Sequence, residues 1–537
     1  MVEKNQQFRA LITDITAEGN GVCRVDDMVV FVAGAVSGDE ICGKIVKVLK
    51  NYAFGIILEI ISPSPDRITS DCEYSQKCGG CTFRHISYEA ECKIKNNMVK
   101  NAFQRMNNLS PEFEDFLPCE NICGYRNKAQ YPVANIDGKA VCGFYSQRSH
   151  RVIPIKKCLL QPDIFQDITD AVLDYINKSK ISVYNENSHT GILRHIYIRQ
   201  AYHTKEIMLC LVVRKNIMRE LKKLCNILSE KFSDLKSIVM NINPDKTNVI
   251  TGSECITLWG SDYITDIMCE NKIRISPLSF YQVNTSQAEN LYKIAEQYAC
   301  PQDKNIVDLY CGAGTIGLSM SHKAKSVTGI EIIPQAVENA KQNALLNNIS
   351  NSDFICGDAG EIFSSLSYSP DVIILDPPRK GCDSFTLKSV IDSGCKRIVM
   401  ISCNPSTAAR DCKILSENGY NIEKVRAVDM FPRTSHVECV VLLSQLPDEH
   451  INIEIDLDEL DLTSAECKAT YSQIKDYVKV HTGLTVSSLN IAQTKNKRGI
   501  IERENYNKAK TEDYRQPNCP PEKEQAILDA FQYFKMI

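Results

Sequence analysis

The most constraining feature of this 537-residue sequence is a regular alternation of short apolar runs with helical stretches after residue 300. The runs are NIVDLY (305–310), SVTGIE (326–331), SDFIC (352–356), DVIILD (371–376) and RIVMIS (397–402). Segments such as PQAVENAKQNALLNN (334–348) separate them. Strands that alternate with helices pair in parallel, with helices on both faces. The alternation therefore predicts a doubly wound α/β sheet.

The rest of the chain divides by composition. Short alternating runs broken by EGNG, SGDE and NYA predict a small antiparallel β-barrel before the Pro-rich SPSPDR. A cysteine-rich stretch, then the helix IMRELKKLCNILSEKF and the strands ILRHIYIRQA and EIMLCLVVR, predict a second α/β layer. We therefore predict five segments: a barrel at 1–62, a central α/β domain at 63–280, the doubly wound domain at 281–446, an acidic linker at 447–467 and a helical extension at 468–537.

Composition restricts the compartment and the partners. The chain has 24 cysteines. Its first residues, MVEKNQQFRA, lack the apolar core of a signal peptide, so we expect a cytoplasmic chain with reduced thiols. No apolar run approaches the ~18 residues of a membrane helix, and no membrane partner is expected. The net charge of −4 becomes positive once the eight acids of residues 448–467 are set aside, which permits a nucleic-acid partner.

Candidate ligand-binding residues follow the first three strands of the doubly wound domain. In such sheets ligands bind beyond the carboxyl ends of the strands. Gly312, Gly314 and Gly317 follow the first strand in a G-x-G-x-x-G pattern, which allows close approach of a ligand to a helix N-terminus. Glu331 ends the second strand, where a ribose diol could be bound, and Asp358 follows the third, near the expected adenine amine. The pattern alone fits both NAD and S-adenosylmethionine.

The next strands end in residues that suggest a particular chemistry. Asp376 opens DPPRKG and Cys403 lies in ISCNPST; taken singly, each is equally a turn cap or a buried thiol. A thiolate that adds to C6 of a uracil makes C5 nucleophilic enough to take a methyl group from a sulfonium. Glu438, at the start of the strand VECVVLL, is the candidate base for the C5 proton. An exposed edge-strand glutamate is its alternative reading.

Five motifs in order carry a family resemblance: FYQVN (280–284), DLYCGAGTIGL, DPPRKG, ISCNPST and FPRTSHVECVVLL. With them, residues 1–446 resemble the class I RNA uracil-5-methyltransferases, particularly the branch that acts on 23S ribosomal RNA. The resemblance implies a Rossmann-like methyltransferase domain behind an OB-like, TRAM-type barrel. It implies Cys403 as the nucleophile and Glu438 as the general base, with S-adenosylmethionine as methyl donor. The residues it implies around the cofactor and the uracil are Gln282, Tyr310, Gly312, Gly314, Thr315, Glu331, Asp358 and Asp376.

A second cluster of candidate ligands lies in CEYSQKCGGC, which contains Cys72, Cys78 and Cys81. Three thiols at this spacing indicate a metal in a cytosolic protein, with a fourth ligand from elsewhere. Spacing alone leaves Cys92, Cys119, Cys123, Cys142 and Cys158 open as that ligand, and zinc as open as iron. The family resemblance implies Cys158 and a 4Fe–4S cluster, which we interpret as structural or RNA-docking because methyl transfer needs no electrons.

RNA is the expected partner, with 23S ribosomal RNA favoured, transfer RNA as the alternative, and a monomeric protein. Lys44, Lys47 and Lys50 near one end of the barrel are candidate phosphate contacts. The tail reads as two helices around a turn at Gly483, and residues 468–510 carry nine Lys or Arg against three acids. An RNA-contacting module and a docked domain remain equally open for it. The rival functions are an iron–sulfur oxidoreductase and a non-catalytic RNA-binding scaffold.

Overall fold

A computed structural model describes residues 2–106, 111–147, 149–446, 471–498 and 519–534. They belong to two compact units, residues 1–448 and 449–537. The acidic linker predicted at 447–467 lies outside the described residues. No helix in the described part of the chain combines the length and the apolar character that crossing a bilayer requires.

The N-terminal strands form one curled six-stranded sheet, ordered β1-β5-β6-β4-β3-β2. They are β1 (Gln7–Leu11), β2 (Asp14–Ile15), β3 (Asn20–Val25), β4 (Met28–Ala33), β5 (Glu40–Val48) and β6 (Tyr52–Ser62). Alternate residues such as Val30, Val32, Ile41 and Ile45 are fully buried and fill its interior. The predicted barrel is therefore confirmed as a barrel-like sheet, but it is not wholly antiparallel as predicted, because β4 pairs with β6 in parallel.

A seven-stranded sheet, ordered β10-β9-β8-β11-β12-β13-β14, follows. The elements of this part are α1 (Tyr88–Gln104), β7 (Glu112–Phe113), β8 (Lys128–Ile136), β9 (Lys139–Tyr145), β10 (Val152–Pro154), α2 (Ile164–Lys178), β11 (Leu193–Gln200), β12 (Ile207–Val213), α3 (Met218–Lys231), β13 (Leu235–Ile242) and β14 (Glu254–Gly260). Helices α2 and α3 cover one face with apolar residues such as Val172 and Leu224. We call this the central sheet.

The remaining elements of the first unit form a hairpin and an eight-stranded sheet, ordered β19-β18-β17-β20-β21-β23-β22-β7. They are β15 (Ile264–Met268), β16 (Asn271–Ile275), α4 (Thr285–Ala299), β17 (Asn305–Leu309), α5 (Thr315–Met320), β18 (Ser326–Glu331), α6 (Pro334–Leu346), β19 (Ser352–Cys356), α7 (Ala359–Ser364), β20 (Val372–Leu375), α8 (Ser384–Asp392), β21 (Arg397–Ser402), α9 (Pro405–Ser416), β22 (Tyr420–Val428) and β23 (Glu438–Gln445).

The predicted doubly wound arrangement is confirmed in this sheet. Strands β17 to β21 are all parallel, and β23 inserts antiparallel between β21 and β22. The chain runs outward from β17 to β19 and then restarts on the other side of β17 with β20. Ligands in such sheets bind in the crevice where the winding reverses, here beyond the carboxyl ends of β17 and β20.

Residues far upstream complete this sheet. Helix α1 begins at Ser87, whose hydroxyl accepts the Ala90 N–H, and its buried Val99 and Phe103 pack in the core of the eight-stranded sheet. Strand β7 pairs in parallel with β22 at the sheet edge. The N-terminal half of the chain thus supplies part of the packing of the doubly wound layer.

A buried charge cluster joins α1 to the segment before β23. The Lys95 ammonium donates to Glu91 Oε1 and to Asp429 Oδ1, both at 2.7 Å, and all three side chains are fully buried. The Arg433 N–H donates to the same Glu91 oxygen at 2.7 Å, and Tyr88 OH donates to Asp429 at 2.8 Å. We call residues 429–436 the bridge segment, because these bonds hold it against α1.

The second unit is a small helical cluster of α10 (Tyr471–Thr482), α11 (Ser488–Lys497) and α12 (Pro521–Tyr533). Gly483 has φ 72°, the left-handed conformation that ends a helix, so the predicted helix–turn–helix is confirmed. Ile474, Ile491 and Phe531 are fully buried between the three helices. Sequence patterning did not predict α12.

The charge cluster predicts the effect of removing its cation. Lys95→Met leaves the carboxylates of Glu91 and Asp429 buried without their shared partner, which we expect to lower the free energy of unfolding by about 3–5 kcal/mol. Lys93 makes the matching i,i+4 pair with Glu89 on the exposed side of α1, so Lys93→Met should leave stability almost unchanged. Urea unfolding measures the free energy of unfolding of both variants. Equal values for Lys95→Met and Lys93→Met would contradict the role of the cluster.

Candidate active site

The glycine turn after β17 has the backbone of a ligand-binding loop. Tyr310, Gly312 and Gly314 all have left-handed φ angles, of 67°, 55° and 78°. A Cβ at Gly314 would stand 2.8 Å from the Phe354 ring, so only glycine fits there. A Cβ at Gly312 would meet nothing within 4 Å, so this residue borders open space at the crevice. In the predicted cofactor turn, Gly314 therefore packs tightly against a neighbouring ring, whereas Gly312 has free space beside it.

Glu331 lies directly beside this turn. Its Oε2 accepts the Gly312 N–H at 3.1 Å and its Oε1 accepts the Ile333 N–H at 2.9 Å. A carboxylate has about four acceptor sites, so both oxygens can still accept hydroxyl groups. Ile332 and Ile333 follow with more than half of their surfaces exposed, an apolar surface next to the carboxylate that the sequence analysis missed.

The other predicted cofactor residues lie in three different surroundings. Asp358 Oδ1 accepts the N–H groups of Gly360 and Glu361, the ordinary N-cap contacts of α7. Thr315, the first residue of α5, shares a 3.0 Å hydrogen bond with Tyr292 OH. Gln282 lies in the loop before α4, where its backbone carbonyl accepts the Asn127 side-chain amide at 2.8 Å.

Two carboxyl groups lie at the strands that flank the crevice. Asp308, in β17, is fully buried and its Oδ2 accepts the Gly317 N–H at 3.0 Å. Burial, together with the charge of Asp376, raises the pKa of Asp308 to about 8. Asp376 directly follows β20, and burial of its carboxyl group raises its pKa to about 7. Asp308 was not among the predicted site residues; its place inside an apolar strand was the available signal.

Cys403 and Glu438 lie at adjacent strand ends. Ser402 pairs with Cys439 at the end of the antiparallel β21–β23 ladder; Cys403 directly follows Ser402, and Glu438 directly precedes Cys439. Asn404 caps α9 by accepting the Ser406 N–H, which places the half-buried thiol at a helix N-terminus. The structure thus brings the two predicted catalytic residues together.

The groups around Cys403 and Glu438 shift the pKa values of these two residues in opposite directions. Burial and the charge of Asp376 raise the pKa of the Glu438 carboxyl to about 8, against the effect of Arg379. Burial and the charge of Glu438 raise the pKa of the Cys403 thiol, and Arg379 again acts in the lowering direction. Asn404 Nδ2 donates to the Arg379 carbonyl at 3.1 Å, so the loop after β20 is tied to the loop after β21. Sequence analysis did not single out Arg379.

The four predicted metal ligands line one cavity of about 250 Å³: Cys72, Cys78, Cys81 and Cys158. Of the alternatives for the fourth ligand, Cys92, Cys119, Cys123 and Cys142 do not line it. Burial raises the pKa of Cys78, Cys81 and Cys158, the last to about 12. Within the described ranges, however, no three His, Cys, Asp or Glu side chains converge closely enough to hold a single metal ion.

The outer face of the N-terminal sheet offers aromatic rings next to lysines. The rings of Phe31, Tyr52 and Phe54 contact one another with centroids 5.5 to 5.9 Å apart. Lys47 pairs with Phe54 across the β5–β6 ladder, and Lys44 pairs with Ile56. Flat rings stack on unpaired bases and lysines attract phosphates, so this face has the chemistry of a single-strand RNA surface.

Comparison with protein-family models gives two matches. Residues 88–446 match the family described as tRNA (Uracil-5-)-methyltransferase, and residues 2–58 match the TRAM domain. An RNA methyltransferase from Clostridium tetani is 41% identical over 452 residues, which cover 83% of this chain and 98% of that protein. One from Bacillus cereus is 42% identical over 451 residues, which cover 83% and 98%.

A solved structure shares most of the fold. The tRNA (uracil-54, C5)-methyltransferase of Pyrococcus abyssi, in complex with S-adenosyl-L-homocysteine, superposes with a TM-score of 0.67 at 26% identity. The match covers 81% of this chain and all of that one.

The raised pKa of Glu438 predicts a pH-dependent stability. The pKa of Glu438 is about 8 in the folded protein and 4.5 in the unfolded chain. The folded state therefore loses stability as the pH rises from 4.5 to 8: the loss is zero below pH 4.5 and complete above pH 8. Glu438→Gln cannot ionise, so it should be more stable than the wild type above pH 8, by about a few kcal/mol at ~1.4 kcal/mol per pKa unit.

The difference should close as the pH falls toward 4.5. Urea unfolding between pH 5 and 9 measures it, with Glu417→Gln at the solvent-exposed end of α9 as the control that should follow the wild type at every pH. A pH-independent difference for Glu438→Gln would contradict the buried, neutral carboxyl.

Proposed function

We propose, on the premise that this chain belongs to the tRNA (uracil-5-)-methyltransferase family and begins with a TRAM domain, that it methylates carbon 5 of a uridine in 23S ribosomal RNA. It is an RNA methyltransferase that uses S-adenosylmethionine. The ribosomal target, the covalent mechanism, the residue roles, the domain boundaries and a monomer in the cytoplasm are our proposals.

The register of Cys403 against Glu438 is the observation that supports the mechanism most directly. Cys403 directly follows Ser402 and Glu438 directly precedes Cys439; these two neighbours pair at the end of the β21–β23 ladder, at the same end of the sheet as the glycine turn. A base held between Cys403 and Glu438 would have C6 near the thiol and C5 near a carboxyl group. Neither a non-catalytic scaffold nor an oxidoreductase requires that pairing.

The proposed reaction begins at C6 of the uracil. The Cys403 thiolate forms a bond to C6, and the electron pair of the C5–C6 double bond moves to give an enolate. C5 then bonds to the methyl group that S-adenosylmethionine supplies, while the carbon–sulfur bond breaks and leaves its electron pair on the sulfur of the spent, neutral cofactor. Glu438 then removes the C5 proton, the double bond reforms and the thiolate leaves. A base whose pKa is near 8 is well matched to proton transfer near neutral pH. Burial and the charge of Glu438 raise the pKa of Cys403, and Arg379 and the N-terminus of α9 act against them in favour of the thiolate.

The residues beside the crevice fit a methyl donor with an adenosine moiety. We propose that the glycine turn approaches the donor, that Glu331 accepts from its ribose hydroxyls and that Asp358, beyond its capping role, faces the adenine amine. Gln282, Tyr310, Thr315 and Asp376 complete the proposed site. The open space at Gly312 and the fixed carboxylate of Glu331 support this assignment.

Ribosomal RNA is our first choice of target because the TRAM domain and the cysteine cavity resemble the 23S branch of the family. Transfer RNA is the second, favoured by the likeness to a transfer-RNA enzyme over 81% of the chain. Mapping 5-methyluridine in both RNAs from a strain that lacks the gene separates them: loss from 23S RNA supports the first, and loss from transfer RNA alone contradicts it.

The mechanism predicts different fates for two variants. Proton removal follows methyl transfer, so Glu438→Gln should stall with RNA still bonded to Cys403 and give an adduct that survives denaturing electrophoresis. Cys403→Ala should give no adduct and no product, alone or combined with Glu438→Gln. Methylation by Cys403→Ala, or normal turnover by Glu438→Gln without an adduct, would contradict these roles. Cys382→Ala, which changes a buried thiol on the neighbouring loop, is the control that should turn over.

We also propose that the cysteine cavity holds a 4Fe–4S cluster. In such a cluster each thiolate binds a different iron, so the sulfurs surround a volume rather than one point. Four cysteines around a shared cavity of about 250 Å³, and the Gly80 N–H that donates to Cys78 Sγ at 3.3 Å, support it. The cluster would serve structure or RNA docking, since the proposed reaction transfers no electrons.

Metal analysis tests this assignment. After anaerobic reconstitution we expect about four irons per chain and brown colour. Cys158→Ser should lose most of the iron, while Cys142→Ser, a buried cysteine outside the cavity, should retain it. Zinc without iron in the wild type, or equal iron in both variants, would contradict the proposal.

A further inference from the structure

A second cavity opens on the central sheet, and none of its lining residues belongs to the site around Cys403. Its volume is about 400 Å³. It lies where β8, β9 and β10 meet the segment 183–187. The side chains that matter for its chemistry are Tyr145, His150, Tyr184, Glu186, Arg194 and His195.

Flat groups form much of this cavity. The rings of Tyr145 and His150 stack with centroids 5.1 Å apart and planes 26° from parallel. The guanidinium of Arg194 lies over the Tyr184 ring, 4.5 Å from its centroid. His150 is exposed, so a planar ligand can reach its ring. Stacked aromatic and guanidinium planes are the surfaces on which proteins bind nucleobases.

Two polar atoms in the lining are buried without a partner. His195 is 7% exposed and its Nδ1 has no hydrogen-bond partner among the described residues. The same holds for Nε of Arg194, which is 5% exposed, although its other nitrogens donate to the carbonyls of Asn243, Asp245 and Thr247. Buried polar atoms normally have partners, so these two point to a ligand.

The cavity lining carries both signs of charge, with Arg151 and Arg194 against Glu186, so its fit to a base rests on the stacked planes and the unpartnered polar atoms. Glu186 contributes a carboxylate, which contacts His150 Nδ1 at 2.9 Å and accepts from Tyr145 OH at 3.3 Å. Burial and the charge of Arg194 lower the pKa of His195 to about 4, so its imidazole is neutral at pH 7. A neutral ring with both donors and acceptors on its edge meets these conditions, and a nucleobase is such a ring.

We propose that this cavity binds one unpaired base of the RNA substrate, away from the uridine that is methylated. The proposal rests on the RNA methyltransferase function proposed above. It gives the central sheet a role in holding the RNA strand, in addition to the TRAM face and the Cys403 site.

Photo-crosslinking tests the position of the base. The full-length protein is irradiated with 23S RNA and with transfer RNA, each transcribed with sparse 4-thiouridine or 6-thioguanosine, and the crosslinked peptides are identified by mass spectrometry. We expect crosslinks in the hairpin of β9 and β10 or in residues 183–195. No crosslink in either segment with either RNA would overturn the proposal.

Affinity measurements give an independent readout. His150→Ala and Glu186→Gln change exposed side chains, and each should weaken RNA binding by roughly fivefold or more, the size of one lost base contact. His203→Ala is the matched control, because His203 makes the same kind of pair with Glu289 beside Tyr202 but does not line the cavity. Equal affinities for all three variants would overturn the proposal.

The outcomes separate this inference from the proposed function. A protein that methylates uridine but shows neither the crosslinks nor the affinity loss keeps its function and loses this site. A protein that crosslinks through the cavity but produces no 5-methyluridine keeps the base site and loses the proposed reaction.

Discussion

The arrangement of the active site depends on the ammonium group of Lys95, which is buried between two carboxylates. One, Glu91, lies one turn earlier in α1; the other, Asp429, lies 334 residues later in the chain. A buried charge without a partner costs several kcal/mol, so α1 and the bridge segment are stable only where all three groups meet. The Arg433 N–H extends the cluster into the middle of that segment. Glu438 begins β23 two residues after the segment ends, and its position follows from this cluster.

The same segment connects the cysteine loop to the catalytic pair. The Thr82 and Phe83 N–H groups, directly after Cys81, both donate to the Arg433 carbonyl, at 2.9 and 3.1 Å. A group bound among the cysteines would therefore order the backbone that precedes Glu438 without touching the reacting base. A methyltransferase transfers no electrons, so a metal cluster at the proposed cysteine site would serve it by ordering the segment that leads to Glu438.

Local patterns predicted much of the fold and less of the site. Strands β17 to β21 were predicted within a residue of their ends, because each is an apolar run bounded by turn residues. The pairing of Cys403 with Glu438 was not predictable, since β23 inserts between β21 and β22 and no local periodicity encodes that long-range order. The packing of α1 on the eight-stranded sheet was not predicted for the same reason. Arg379 was not singled out from the sequence, because its effect on Cys403 depends on loops that meet only in the folded chain.

Three carboxyl groups with raised pKa values, two of them buried, give the crevice a polarity that suits the proposed reaction. Asp308, Asp376 and Glu438 all have raised pKa values, and Asp376 contributes to raising the other two. Groups in this state gain from a nearby positive charge, which lowers the cost of ionising them. The methyl donor is a sulfonium cation, whereas the spent cofactor is a neutral thioether. Under the proposed mechanism, a crevice lined in this way would favour the cation over the neutral product.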